Sequence, residues 1–112
     1  MAISDLYANT LSTLTATRSK MLSPAWQASL DKVMPADRVA AGNALLQLGS
    51  AILSLSTASL ADIASQMSSN ETQLANSTKD LSDALADITK VQNILQKITS
   101  ALAIVAKIVP LL

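Results

Sequence analysis

The chain has 112 residues, half of them apolar, yet Tyr7 and Trp26 are its only aromatics. Eight acidic side chains balance eight basic ones, and neither His nor Cys occurs. That inventory excludes imidazole bases, thiol nucleophiles, disulfides and the usual zinc sites. The lack of any Lys/Arg cluster also argues against nucleic-acid binding, which needs a basic patch.

A core of Ala, Leu, Ile, Val and Met, with two Gly and three Pro, suits helices packed on helices. The expected fold is all-α, a single domain over 1–112. The opening residues show no basic region followed by an apolar run. A cleaved leader is therefore not expected, which leaves a cytoplasmic location or bacterial-type export without one.

In chain order, the first helix is expected from about Ser4 to Leu22. Ser4 is its candidate cap, and Ile3, Leu6, Tyr7, Leu11, Leu14 and Met21 form its apolar stripe. Asp5 at its start and Arg18 and Lys20 at its end match the helix dipole. Ser23-Pro24 then reads as a cap followed by Pro at the first helical position. The short segment Ala25–Met34 ends at Pro35, because a residue before Pro resists helical geometry. Asp37 is expected to open the next helix.

Val39 to Ala61 carries no charge. Its polar residues, Asn43, Gln47, Ser50, Ser54 and Thr57, fall in one helical stripe, and Leu45, Leu48, Ile52 and Leu55 lie on the other side. Gly42, Gly49 and Ser56 stand seven apart and share a face, where small residues let a neighbouring backbone approach. The length of this stretch would span a bilayer, although its polar content suits a permanent span poorly.

A seven-residue ladder runs through Leu60, Met67, Leu74, Leu81, Ile88, Leu95, Leu102 and Val109. From Ala84 a second rail joins it through Val91, Ile98, Val105 and Leu112. Such 3-4 alternation is the seam of a helix packed on helices. Polar Asn70 and Ser77 occupy the second rail earlier, and acids (Asp80, Asp83, Asp87) precede bases (Lys90, Lys97, Lys107). Both observations place a break at Ser68–Thr72, with Ser69 or Asn70 capping a new helix. The favoured architecture is thus a bundle on a long antiparallel hairpin, about 36–67 and 71–109, with one or two shorter N-terminal helices. The competing architecture is one continuous rod of roughly 110 Å.

Asp80, Asp83 and Asp87, read as one helix face, supply carboxylates without the extra oxygens of a cation loop; they read as a solvated face. No serine sits in a nucleophile elbow, and no glycine-rich phosphate loop exists. The expectation is a non-enzymatic assembly protein, without cofactor, metal or small-molecule substrate. It would self-associate as a homo-oligomer or dock a helical protein partner. Gly42 and Gly49 are the close-packing candidates. Ile94, Ile98, Leu102, Val105, Ile108 and Leu112 are the candidate outward apolar positions of the last helix. The alternative is a membrane-active protein using 39–61 and the apolar C-terminus. In outline, a helical hairpin with an uncharged apolar stretch resembles helical pore-forming toxins and small helical subunits of secretion machinery.

Overall fold

The computed structural model describes residues 2–109. Six helices follow one another: α1 Ile3–Met21, α2 Pro24–Leu30, α3 Pro35–Thr57, α4 Leu60–Ser69, α5 Glu71–Ala84 and α6 Val91–Val105. No strand occurs among the described residues, and the fold is all-α.

Each boundary has a local cause. Ser23 caps α2 by accepting the Trp26 amide at 3.2 Å, with Pro24 in the first turn. Pro35 does not merely stop the preceding segment; it is the first residue of α3, two residues ahead of Asp37. Proline suits that position because its missing N–H would have had no helical partner. Arg38 Nη1 donates to the Val33 carbonyl at 3.0 Å and closes the α2–α3 corner. At the start of α1, Ala2 rather than Ser4 occupies the cap position, and no side chain bonds there.

Four helices enclose the core. α1 packs against α3 and α5, and α6 packs against the same two, while α4 lies on α1. The Tyr7 hydroxyl donates to the Leu55 carbonyl at 2.6 Å, joining the start of α1 to the end of α3. These two helices therefore run antiparallel. Gln92 Nε2 donates to Asp37 Oδ2 at 3.1 Å, so α3 and α6 begin at the same end. The short connection 85–90 folds α6 back along α5 as a helical hairpin. Trp26 on α2 is fully buried against this bundle.

The core runs the length of the molecule through Leu6, Leu14 and Met21 of α1, Leu48 and Leu55 of α3, Leu74 and Leu81 of α5, and Ile94 and Ile98 of α6. Threonines fill the gaps in its stripes. Thr10, Thr17 and Thr78 are buried, and each hydroxyl donates to a carbonyl four residues back, at 2.7–3.0 Å. A buried hydroxyl satisfied within its own turn needs no partner across the core. Ser54 Oγ, by contrast, is buried with no hydrogen-bond partner.

The long hairpin is the expectation that the structure revises. Its first arm divides at Ala58–Ser59 into α3 and α4, and its second divides at 85–90 into α5 and α6. At the first break, Ala58 turns extended, with φ −73° and ψ 142°. Near that end the Ser56 and Thr57 hydroxyls both donate to the Leu53 carbonyl, and the Ala58 amide donates to the Ser54 and Leu55 carbonyls. At the second break, Asp87 accepts the amide and the hydroxyl of Thr89, forming a side-chain turn that opposes helix continuation. The expected break at Ser68–Thr72 is present, with Asn70 between α4 and α5. The Asn70 side chain donates back to the Gln66 carbonyl instead of capping α5. The principal extents, 43 × 25 × 19 Å, exclude the continuous rod.

Candidate interaction surface

The residues expected to make contacts fall into two groups. Ile94, Ile98, Leu102, Val105 and Ile108 belong to the core, so they are not outward positions of the last helix. α6 lies between α3 and α5, and its wide apolar surface is used by these two neighbours. Leu112 lies outside the described residues. In the C-terminal stretch, Ala101, Leu102, Val105, Ile108 and Val109 are buried, leaving the Lys107 side chain outside.

Gly42 and Gly49 lie on α3. Gly42 is exposed and Gly49 half-buried. A Cβ placed on either would meet nothing within 4 Å. The fold itself therefore has no need of glycine there, although a glycine inside a helix costs about 1 kcal/mol relative to alanine.

Alternating with these glycines are three large apolar side chains that sequence reasoning missed. Val39 is 65% exposed, Leu46 73% and Leu53 53%. They recur every seven residues and interleave with Gly42, Gly49 and Ser56, so the two rows make one heptad face on α3. The buried residues of α3, Ala41, Ala44, Leu48, Ala51 and Leu55, lie on its other side. The signal was present as a second seven-residue repeat beside the glycines. It was hidden because Leu45, Leu48, Ile52 and Leu55 already account for a core stripe. Asn43 and Ser50 border the face on one edge.

This face carries no charge, and charge begins only at Arg38 and Asp37 before it. α3 is also the one described helix long and apolar enough to cross a membrane. Only a third of its most apolar stretch is buried inside the protein, unlike the central helix of a closed bundle.

The remaining surface offers shallow valleys between helices. One, about 750 Å³, lies between α3 and α6 and is lined by Asp37, Ala40, Gln92, Leu95, Gln96 and Thr99. Its one acid is engaged by Gln92. A second valley, between α1 and α3, runs along Arg18, Ser19, Gly49, Leu53 and Ser56, beside the heptad face. The expected acidic face is not formed as such. Asp80 and Asp83 are on α5, whereas Asp87 is in the following turn. Among the described residues, no group of three or more acids is placed to hold a metal ion. The Asp87 carboxyl is held below its usual pKa because the Thr89 hydroxyl and amide both bond its charged form.

The geometry defines an all-α bundle with one uncharged, apolar helix face turned outward. Compared with family models, curated proteins and solved structures, the chain gives no match.

Proposed function

We propose that this chain is a non-enzymatic assembly protein whose α3 face docks a helix. One observation carries the proposal: Val39, Leu46 and Leu53 stand exposed at heptad spacing, alternating with two glycines that the fold does not require. Large apolar side chains next to glycine make knobs beside holes, the pattern by which one helix receives another. A stripe of this kind on a soluble surface marks an interaction site. Of the two candidate sets in the sequence, this reading keeps Gly42 and Gly49 of α3 and leaves the last helix to the core.

The test is light scattering at micromolar concentration together with recovery of partners on immobilised protein, comparing wild type with Leu46→Lys. Association lost in the variant supports the reading. A strict monomer that recovers no partner, with or without the substitution, overturns it.

A second reading is membrane activity, favoured by the length and low burial of α3. Insertion would require α3 to leave α1 and α6 and expose Leu48 and Leu55 to lipid. Dye release from anionic liposomes, with flotation of the protein on the same vesicles, tests it. No release and no flotation between about pH 3 and about pH 8, a range that brackets the ordinary carboxylate values near 4, removes it.

A further inference from the structure

We infer that the helix received by α3 is α3 of a second copy, packed antiparallel about a two-fold axis that passes between Gln47 and Leu48. The inference rests on the reading that this face docks a helix, and it names the partner and the register.

The order of large and small residues along the face carries this pairing. In an antiparallel helix pair the two rows of each seam face the opposite rows of the other. With the axis between Gln47 and Leu48, Val39 faces the second copy's Ser56. Leu46 faces its Gly49, and Leu53 faces its Gly42. The two-fold repeats each pair, so six layers each set one bulky side chain against one small residue. At the flank, Asn43 comes opposite the second copy's Ser50, an amide facing a hydroxyl, again twice. The face is thus complementary to itself, which an isologous contact demands.

Other arrangements lose this match. Parallel pairing in register sets Leu46 on Leu46 and Gly49 on Gly49, so the leucines hold the helices apart where the glycines leave voids. Sliding the antiparallel pair by one heptad sets Leu53 against Pro35 and removes two layers. Electrostatics also permit a second copy. α3 itself carries no charge from Val39 onward to repel its twin; Arg18 of α1 borders the face beside Gly49, Leu53 and Ser56 without standing in the seam, and antiparallel helices align opposite dipole ends. The glycines, without a role inside the fold, gain one in bringing the two α3 backbones close.

The seam runs about 26 Å along each helix. An interface of one helix per copy falls near the lower bound of about 1,000 Å² for a specific contact. Dimerisation is therefore expected with a Kd of roughly micromolar to tens of micromolar, and not nanomolar.

Because the chain has no Cys, introduced thiols report the geometry directly. Val39→Cys and Ser56→Cys proteins, mixed and oxidised, are expected to form the mixed disulfide dimer. Val39→Cys alone is expected not to, since the two thiols would stand about 25 Å apart along the seam. Sedimentation equilibrium should show Leu46→Lys weakening the dimer at least about tenfold, with unchanged circular dichroism because Leu46 is exposed. Mixing Leu46→Lys with Leu46→Glu should restore association. A disulfide within Val39→Cys alone, or a dimer that survives Leu46→Lys, overturns this pairing but leaves docking by another face or orientation standing. A wild-type protein that stays monomeric at about 200 μM also overturns the pairing. If that monomer floats on anionic vesicles or binds a different helical protein, the α3 face has another occupant; if it does neither, the docking reading falls as well.

Discussion

Leu46 and Leu48 are two residues apart on one helix and have opposite fates. Leu48 is fully buried and Leu46 is 73% exposed. Replacing Leu48 by Ala removes packed methyl groups and leaves a cavity, so unfolding stability should fall by about 2–5 kcal/mol. Leu46→Ala should change it by less than about 0.5 kcal/mol. Urea titration of dilute protein checks both; equal losses would mean that the burial of α3 is wrongly drawn. Gly42→Ala fills open space on an exposed helix face, and is expected to raise stability by about 0.5–1 kcal/mol in the same titration. The glycines and their common face were legible in the sequence. The exposure of Val39, Leu46 and Leu53 was not, because two apolar stripes occupied one helix and periodicity alone cannot choose which faces inward.

Helix starts were read well where their signal is chemical and local. Ser23-Pro24 forms the expected cap, and its hydroxyl also donates to the Lys20 carbonyl at 2.6 Å. Ser23→Ala removes both bonds and should lower stability by about 1 kcal/mol, read from the thermal midpoint. The two unforeseen breaks had weaker signs. Ser59-Leu60-Ala61-Asp62 has the spacing of a capping box, and Asp87-Ile88-Thr89 that of a side-chain turn. Neither contains Gly or Pro, and the apolar ladder begins directly after the first and runs through the second. Ile88 explains the deception: it stands in the turn yet still packs against the core, so the seven-residue step continues where the helix does not.

Asp87 also makes the second turn sensitive to acid. Its lowered pKa means that folding favours the charged form. Its contribution is therefore present above the ordinary aspartate value and is lost as pH falls through the lowered one. In a titration followed by NMR, the Thr89 amide should report a midpoint below the ordinary aspartate value. Asp87→Asn should abolish that transition. A midpoint at or above the ordinary value would mean that the turn does not hold the carboxylate.

At the scale of the whole molecule, the Cα radius of gyration is 13.9 Å and the longest extent 43 Å. Small-angle scattering from dilute protein should give a compact particle close to these dimensions. A maximum dimension near 110 Å, that of the continuous helix at 1.5 Å per residue, would contradict the bundle. The compactness follows from the breaks. With the chain divided at Ala58–Ser59 and 85–90, α3, α5 and α6 can all lie beside one another or beside α1, which one long hairpin could not allow.

Composition and periodicity alone determined the all-α class, the start of the second helix and most of the core, since apolar spacing and capping chemistry act within a few residues. They also separated this chain from proteins that use His, Cys or a basic patch. Tertiary packing decided where the long segments divide and which apolar stripes are covered. α6, with the widest apolar surface, is enclosed by two neighbours, whereas α3 keeps one heptad face outside. The reason is physical: a side chain's burial depends on what the rest of the chain places against it. Periodicity records that a face is apolar, and only the assembled bundle shows whether that face already has a partner.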